Sequence, residues 1–495
     1  MKIAFVPLDD RPCNLVFPTQ ICDCAGVDII SPPKKYLGRF MNPGKSNLIG
    51  KWLLTADADV YVISSDMLLY GGLIASRTTE TTYKQAIQRL SILSKIKKPV
   101  YVFSTIMRLT ITASSEKLAQ YWEYIMEFST ISDRPGITED QILELKNKIP
   151  SDILSQFLDA RARNFKINNE LISMADEADI RFLLIGKEDV AQFGLHRKEE
   201  RDLKKLYNDL NIFEKVRIIN GADELGLMMV TRAILDHKSI KPKIFVKYSN
   251  DIQSNIISMY EDRSINVVVN DHINAIGATR IFNLNEADLV LYINTPDGKQ
   301  EDLFLQGSTR LDRALQVQKE IEEIKRLIDE DKLIAVADVA YCNGADPVFA
   351  EALLQNIDIS KLASFAAWNT TSNTIGSALA FGIARLTAHG SQHTANSLIL
   401  ERFADDYLYQ SVVRPKVIKY CKENNISIYN LGDDWKSVEK DANKLMKEEI
   451  AQNRNWSLII ACPSGRRGHW SLKLPWPRVF EAGLELKDPN PGKKD

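Results

Sequence analysis

Among the adjacent acidic residues in the first half of this 495-residue chain, three pairs follow short apolar runs of strand type. Successive side chains of an extended backbone point to opposite sides, so one carboxylate of a pair can face a ligand while its neighbour turns aside. Where two carboxylates meet, arginine, a cation or a raised pKa must relieve their repulsion. Acid/base catalysis uses that combination. The pairs are Asp9 and Asp10, Glu188 and Asp189, and Asp223 and Glu224.

Arginine, amide and indole side chains stand at the ends of similar apolar runs. Arg11 follows the first acidic pair, and "SSDMLLYGGLIASR" carries Asp66 and Arg77 around two glycines that permit a close approach of the backbone. An indole and an amide in "AAWNTTSN" suit a sugar ring. We predict Glu188, Asp189, Asp223 and Glu224 as catalytic residues, and as substrate-binding residues Asp9, Asp10, Arg11, Asp66, Arg77, Arg108, Asn220, Trp368 and Asn369.

Each of these residues, taken singly, also has a structural explanation. Asp, Asn and Ser after a strand cap the next helix or close a turn, and Trp368 can pack beside such a helix. His196 is a candidate proton shuttle, or a solvated helix residue beside two basic neighbours. In "VADVAYCNGADP" turn chemistry explains the spacing as well as a metal site does, and in "CPSGRRGHW" a basic surface loop is favoured over an anion clamp.

The apolar runs predict the elements that position these residues. The first series is "IAFVPL", "VDIISPP", "DVYVISSD", "PVYVFSTIMR", "RFLLIGKED" and "VRIINGADE". These runs are continuous rather than alternating, which is typical of parallel strands covered by helices on both faces. Helical stretches lie between them, so the fold class is α/β. Ligands of barrel and open α/β folds bind beyond the carboxyl ends of the strands, where the predicted site residues stand.

The chain is predicted to have three parts. Residues 1–238 form a (β/α) barrel-like catalytic domain, with a doubly wound sheet as the alternative. Residues 239–388 form a flavodoxin/Rossmann-like α/β domain with strands at "KIFVKYS", "INVVVND", "ADLVLYINTP", "LIAVADVAY" and "ASFAAWNT". Residues 389–495 form a mainly helical C-terminal region with a terminal strand-like segment.

Composition excludes several classes of function. The formal net charge is −2, from 63 basic and 65 acidic residues, so we expect neither a nucleic-acid nor an anionic membrane partner. No apolar run approaches the roughly 20 residues of a membrane span, and the N-terminus does not resemble a secretory signal. The six cysteines are scattered and expected to be reduced, which predicts a cytoplasmic protein. Oligomeric state stays open.

Several motifs together resemble those of an uncharacterised bacterial family, number 4127 of the domains of unknown function. They are "VPLDDRPCN", "YGGLIASR", "NGADELG", "VADVAYCNGAD", "AAWNTTSNTIGSALA" and "LPWPRVFE", and they extend from the first predicted strand almost to the end of the chain. The resemblance implies a bacterial protein of this length. It implies no activity.

Three functions are compatible with these residues. The first is a glycoside hydrolase acting on a sugar, with or without an N-acetyl group, through paired carboxylates and without a cofactor. The second is a sugar isomerase, lyase or phosphohydrolase that depends on Mg²⁺ or Mn²⁺, which oxygen ligands suit. The third is a non-catalytic carbohydrate-binding protein. The six histidines include no HxH or HExxH arrangement, which argues against a zinc hydrolase.

Overall fold

The chain folds into two compact units. The computed structural model describes residues 1–112, 116–177, 180–305, 313–388, 392–452 and 469–487. Unit 1 comprises Met1–Lys241 and Tyr260–Ala278, and unit 2 comprises Pro242–Met259 and the described residues from Thr279 onward. The predicted ranges 1–238, 239–388 and 389–495 differ from this division. Residues 260–278 belong to unit 1, and the described residues after 388 belong to unit 2.

Unit 1 is built on one parallel sheet of six strands in the order β2-β1-β3-β4-β5-β6. Residues of β3, β4 and β5 are buried throughout, as expected for continuous apolar runs. All carboxyl ends therefore lie along one edge of the sheet. The strands are β1 (Lys2–Val6), β2 (Asp28–Ile30), β3 (Val60–Ser64), β4 (Val100–Ile106), β5 (Phe182–Lys187) and β6 (Val216–Asn220).

This sheet is open, so the barrel-like prediction for residues 1–238 is wrong. In a (β/α) barrel each strand pairs with the next one in the chain until the last pairs with the first. Here β1 lies between β2 and β3, so the winding direction reverses at β1. Within the described residues β2 and β6 have no further strand partner and form the two edges. The broader prediction, an α/β fold with parallel strands, is confirmed.

Eleven α-helices belong to unit 1 among the described residues. α1 begins with Pro12, whose missing N–H costs nothing in the first turn, and ends at Gly26, whose φ is 66°. They are α1 (Pro12–Ala25), α2 (Ser46–Thr55), α3 (Ser65–Tyr70), α4 (Tyr83–Leu90), α5 (Glu116–Ala119), α6 (Trp122–Ile131), α7 (Glu139–Asn147), α8 (Ser151–Asp176), α9 (Leu195–Asp209), α10 (Leu225–Lys238) and α11 (Ile265–Ile276).

The strand predicted at "INVVVND" is a helix. These residues lie in α11, which buries Ile265, Val268, Val269, His272 and Ile273. That three-to-four-residue spacing is helical, and it outweighs the strand preference of three successive valines. The fifth strand of the unit 2 sheet is formed instead by residues 279–281.

Unit 2 is built on a parallel sheet of five strands in the order β13-β11-β9-β7-β8. Counted within the unit the order is 2-1-3-4-5, an order that flavodoxin-like sheets also have. Two short pairs, β10–β12 and the antiparallel β14–β15, complete the strands. The strands are β7 (Lys243–Tyr248), β8 (Thr279–Ile281), β9 (Leu289–Asn294), β10 (Glu301–Asp302), β11 (Ile334–Asp338), β12 (Tyr341–Cys342), β13 (Ser364–Ala366), β14 (His469–Lys473) and β15 (Gly483–Lys487).

The helices of unit 2 include an eleven-residue π-helix, Phe403–Val413. π-Helices are rare, and this one packs its buried face beside the end of β13. The other helices are α12 (Ala314–Asp329), α13 (Pro347–Asn356), α14 (Thr371–Leu386), α15 (Gln392–Arg402), α16 (Arg414–Glu423) and α17 (Trp435–Gln452). In the part of the chain that the structure describes, no helix combines the length and apolar character needed to cross a membrane.

Candidate functional site

Arg11 links two buried carboxylates that are 214 positions apart in the sequence, Asp9 and Asp223. Its Nη1 donates to Asp223 Oδ2 at 3.0 Å and its Nη2 to Asp223 Oδ1 at 2.5 Å. The same guanidinium donates through Nε and Nη2 to Asp9 Oδ2, at 3.0 and 2.7 Å. Asn14 Nδ2 joins both acids, at 3.0 Å from Asp9 Oδ1 and 3.3 Å from Asp223 Oδ1. Paired donors of this kind fix geometry as well as charge.

Local structure explains how the end of β1 presents this arginine. Asp9 Oδ1 accepts from the backbone N–H of Arg11 at 3.0 Å, which closes the turn after the strand. Arg11 then stands immediately before Pro12, the first residue of α1. Because Asn14 lies three residues further on, it shares the helix face that turns toward Asp9.

Glu188 follows β5 directly and is buried beside Arg77. Arg77 Nη2 donates to Glu188 Oε1, while Arg77 Nη1 donates to Thr112 Oγ1 at 2.7 Å. Among the described residues Glu188 Oε2 has no hydrogen-bond partner, although it is buried. Burial raises the pKa of Glu188, by more than the charges of Arg77 and Arg108 lower it. Glu188 therefore keeps its proton at a higher pH than an ordinary glutamic acid.

Asp189, the next residue, has a left-handed backbone with φ of 39°. Such a conformation is uncommon outside glycine and is found at functional sites more often than elsewhere. Asp189 Oδ2 accepts from Arg108 Nη2, and the charges of both residues influence the pKa of Glu188. The two consecutive carboxylates therefore interact electrostatically, although each is paired with a different arginine.

Asp66, in the first turn of α3, is a second carboxyl group whose proton is held tightly. Its Oδ1 accepts from Thr105 Oγ1 at 3.1 Å, whereas within the described residues Oδ2 has no partner. Burial raises the pKa of Asp66 to about 7, with a smaller contribution from the charge of Glu188. Asp66 and Glu188 are therefore interacting acids, since the charge of Glu188 adds to the effect of burial on the pKa of Asp66.

The residues that belong together are thus Asp9, Arg11, Asp66, Arg77, Arg108, Glu188, Asp189 and Asp223, which we call the strand-end cluster. The charge of Asp223 acts on the pKa of Glu188, which ties the Arg11 group to the Glu188 group. Three arginines offset five carboxyl groups. Within the described ranges, no group of three or more His, Cys, Asp or Glu side chains is arranged to hold a metal ion.

Two predicted residues at the end of β6 face other partners. Glu224 Oε1 lies 3.2 Å from His272 Nε2, and Glu224 Oε2 accepts from the Ala222 backbone at 3.1 Å. Gly221 has φ of 104°, a conformation that favours glycine, and a Cβ at this position would displace the Glu224 carboxylate. Asn220 Nδ2 donates to Glu261 Oε2 at 2.5 Å. Both therefore turn away from Arg11 and toward residues 260–278.

The remaining predicted residues of unit 1 have structural contacts. Asp10 is buried, and its backbone N–H donates to the Gly38 carbonyl at 3.3 Å. Gly71, with φ of 96°, packs against Gly44, whose N–H donates to the Gly71 carbonyl at 2.8 Å. The close approach of these two backbone segments therefore explains the glycine at position 71. His196 is fully buried 3.3 Å from Asp262 and not beside the Glu188 carboxylate, so the solvated alternative is wrong.

Trp368 and Asn369 belong to unit 2, at the end of β13. The indole of Trp368 is buried against Phe480, with ring centroids 5.9 Å apart. Among the described residues, its Nε1 has no hydrogen-bond partner. Asn369 has φ of 68°, and its carbonyl accepts from the Asn343 backbone at 2.8 Å. Both residues lie in unit 2, whereas the strand-end cluster belongs to unit 1.

Other motifs of unit 2 have structural partners or lie outside the described residues. Asp338 accepts from Asn294 Nδ2 at 2.9 Å, and Asp346 accepts from Arg313 Nη1 and caps α13. Asn343 has φ of 62°, as turn chemistry requires. The residues of "CPSGRRGH" before position 469 lie outside the described part of the chain.

Sequence reasoning missed four residues that contact the cluster or the strand ends beside it, and for two of them a signal was available. Asn14 and Thr105 contact Asp9 and Asp66, but nothing distinguishes them from other polar residues of helices and strands. Glu261 and Asp262 form a further adjacent acidic pair, but this pair follows no predicted strand.

The cluster has the parts of an acid/base site. A buried acid with one unpartnered oxygen, Glu188, can give a proton to a substrate oxygen and later take one from water. Asp189 is the most exposed of the acids, with 28% of its side chain accessible, so it can meet a substrate while Arg108 holds it. The paired Asp9 and Asp223 supply fixed negative charge.

Comparison with known proteins gives a family but no activity. No curated protein and no solved structure matches the chain. A family model described as "Protein of unknown function (DUF4127)" matches residues 3–485, almost the whole sequence. This confirms the resemblance carried by the sequence motifs. The chain therefore belongs to the family of proteins of unknown function DUF4127.

Proposed function

We propose that unit 1 is a hydrolase and that its substrate is a glycoside, with or without an N-acetyl group. The observation that carries the proposal is Glu188, a buried acid with raised pKa and one unpartnered oxygen within the described residues, beside Asp189, which is paired with Arg108. Glycosidases use two carboxyl groups in different protonation states, and environments that separate their pKa values assign the roles.

In this mechanism Glu188 is the proton donor. It protonates the glycosidic oxygen as the bond between that oxygen and the anomeric carbon breaks. Water then adds to the anomeric carbon and gives its proton to the ionised Glu188, which restores the starting state. Overall one glycoside and one water become one sugar and one alcohol. Arg77 stabilises the transient Glu188 carboxylate, to which it already donates.

Asp189 acts beside Glu188 in the same reaction. A carboxylate held by Arg108 next to the anomeric carbon stabilises the positive charge that develops there, or orients a substrate amide that attacks this carbon. The left-handed backbone of Asp189 supports this assignment, because it directs both neighbouring carboxylates into one cluster. Glu224 receives no catalytic role, since His272 and the Ala222 N–H occupy its oxygens.

The test is hydrolysis of a panel of chromogenic glycosides, including N-acetylhexosaminides, with and without EDTA. We expect EDTA-resistant turnover, and a loss of roughly 10²–10⁴-fold in kcat for Glu188→Gln. Because the proton donor must be protonated, kcat should fall as pH rises through the raised pKa of Glu188, above the ordinary glutamate range. Asp189→Asn should lose activity as well.

The control is Glu170→Gln, which changes an exposed glutamate bonded to Tyr83 and should leave kcat unchanged. Turnover that survives Glu188→Gln would contradict the proposal. A failure to hydrolyse any glycoside of the panel would contradict it as well. Activity restored only by Mg²⁺ or Mn²⁺ would support the metal-dependent alternative. Saturable binding of sugars without turnover would support a carbohydrate-binding protein.

A further inference from the structure

Residues 260–278 leave unit 2 between two of its strands and fold as part of unit 1. β7 ends at Tyr248 and β8 begins at Thr279, so the segment is an insertion between neighbouring strands of the unit 2 sheet. It carries α11. Its side-chain contacts with the rest of unit 1 are made by Glu261, Asp262, Arg263 and His272. Both of its ends are thus fixed by chain connectivity, while its own contacts are with the elements that carry the strand-end cluster.

The first two charged residues of the segment hold the last residues of β5 and β6. Asp262 Oδ2 accepts from Lys187 Nζ at 2.5 Å, and Glu261 Oε2 accepts from Asn220 Nδ2 at 2.5 Å. Lys187 and Asn220 are paired in the register of the two strands. Glu261 and Asp262 therefore bind the last pair of neighbouring residues in β5 and β6, where both strands end.

Further contacts fix the loops beyond that pair of residues. The Tyr260 carbonyl accepts from the Val190 N–H at 3.2 Å, directly after Glu188 and Asp189. His272 Nε2 lies 3.2 Å from Glu224 Oε1, directly after Asp223. The segment therefore contacts residues that come before and after the candidate catalytic residues in the sequence. Each of the two loops is held before and after its acidic residues by the same segment.

Asp262 forms ion pairs with more than one basic residue of unit 1. It is fully buried, and Arg197 Nη1 donates to it at 3.2 Å in addition to Lys187. Burial would raise the pKa of Asp262, but the contact with His196 and the charge of Lys187 lower it, so it stays ionised. Removing this charge leaves the buried Lys187 with Glu200 as its remaining carboxylate at 2.9 Å. A buried cation that loses a partner moves or takes up water.

We propose that Glu261, Asp262 and His272 are positioning residues, whose contacts with Asn220, Lys187 and Glu224 set the places of Glu188, Asp189 and Asp223. Their catalytic meaning rests on the proposed function, whereas the geometric effect does not. Sites keep their geometry within about 0.5 Å only when residues behind them are fixed as well. The segment supplies such support to two of the loops of the cluster.

The test measures the protonation of Glu188 directly. Its carboxyl stretching band is followed by difference infrared spectroscopy during a pH titration and assigned by its loss in Glu188→Gln. The groups acting on this acid are Arg77, Arg108, Asp189, Asp223 and Asp66. Loosening the last residue pair of β5 and β6 admits water, so in Asp262→Asn and Glu261→Gln the pKa of Glu188 should fall toward the ordinary glutamate value. We expect roughly a tenfold change in proton affinity.

The matched control is Asp271→Asn in the same segment. It removes an ion pair with Arg263, 2.7 Å long, without touching Lys187, Asn220 or Glu224, so the Glu188 titration should not change. Circular dichroism establishes that each variant is folded, and Glu261→Gln, nearly isosteric, serves if Asp262→Asn does not fold. An unchanged Glu188 titration in folded Glu261→Gln and Asp262→Asn would overturn the inference.

The same variants separate this inference from the hydrolase proposal. A shifted Glu188 titration in a protein that hydrolyses no glycoside supports the positioning role and removes only its catalytic meaning. An unshifted titration in a protein that does hydrolyse glycosides overturns the positioning role and leaves the hydrolase proposal standing.

Discussion

Buried carboxylates gather at the carboxyl ends of parallel strands in both units, but their oxygens are hydrogen-bonded to different extents. In unit 2, Asp338 Oδ1 accepts from Asn294 at 2.9 Å and its Oδ2 from the Asp346 N–H at 2.7 Å. Asp406 accepts from Arg402 at 3.0 Å and from the Ala367 N–H at 2.8 Å. Each of these oxygens thus serves to connect elements of the fold.

Unit 1 shows two kinds of carboxylate side by side. Asp9 and Asp223 resemble those of unit 2, since Arg11 and Asn14 occupy their oxygens. Glu188 and Asp66 each keep one buried oxygen that has no partner in the described residues. A buried acceptor without a donor costs free energy, and folds retain few of them unless a ligand or a reaction uses the group.

Raised pKa values alone do not distinguish the carboxyl groups of unit 1 from those of unit 2. Burial raises the pKa of Asp66 to about 7, but it also raises that of Asp338 to about 8 and that of Asp406 to about 7. At the strand ends, Glu188 and Asp66 differ from Asp338 and Asp406 because each keeps one buried oxygen that has no partner among the described residues. Glu320, within α12, also combines a raised pKa with such an oxygen. A candidate reactive acid is therefore marked by its place at a strand end together with its protonation and its incomplete hydrogen bonds.

The largest effect on stability is expected from a break in the unit 2 network. Arg313→Met removes the donors to Asp346 and Asn294 and leaves a buried carboxylate unpaired, which should lower the free energy of unfolding by roughly 3–5 kcal/mol. Urea unfolding and calorimetry measure it. Arg326→Met, which removes an exposed arginine of α12 paired with Glu323 and Glu330, should leave Tm unchanged. Equal effects of the two variants would contradict the structural reading of unit 2.

A second effect, of similar size, concerns the pH dependence of Asp66. Its pKa is about 7 in the folded protein and about 4 when unfolded, so the folded state binds more protons between these pH values and stability falls as pH rises. In the Asp66→Asn variant this loss of stability with rising pH is absent. Relative to wild type, its free energy of unfolding should therefore rise with pH between 4 and 7, by an amount on the order of 4 kcal/mol.

Unfolding at several pH values from 4.5 to 7.5 tests this expectation. Asp133→Asn is the control, because a hydrogen bond from Arg201 lowers the pKa of Asp133, and that carboxylate is ionised throughout the range. Its difference from wild type should not vary with pH. A difference between Asp66→Asn and wild type that is equally flat would show that Asp66 is not held protonated.

The smallest effect on stability is expected at Asp189. Asp189→Asn keeps a residue type that tolerates a left-handed backbone, and it removes a partly accessible ion pair with Arg108. The free energy of unfolding should change by about 1 kcal/mol or less, which Tm measurements would detect. A loss as large as that of Arg313→Met would place Asp189 with the structural carboxylates of unit 2 and remove the distinction between the two regions.

Much of the fold was predictable, and parts of the cluster were. Continuous apolar runs predicted all six strands of unit 1, and the acids after them include Glu188 and Asp223. The same rule selected Glu224 and Asn220, which face His272 and Glu261 instead. Which way a side chain leaves a strand end depends on backbone angles of the following loop, such as φ of 39° at Asp189, and composition does not encode them.

The sequence by itself determined the α/β class, most strand positions and the concentration of acids at strand ends. These follow from local hydrophobicity and turn chemistry, which act over a few residues. Only the tertiary structure decided that the sheet of unit 1 is open, that residues 260–278 join unit 1, and that Arg11 pairs with Asp223 and Arg77 with Glu188, at separations of 212 and 111 positions. An ion pair depends on the distance between two side chains in space, and partners so far apart in the chain leave no local signal of one another.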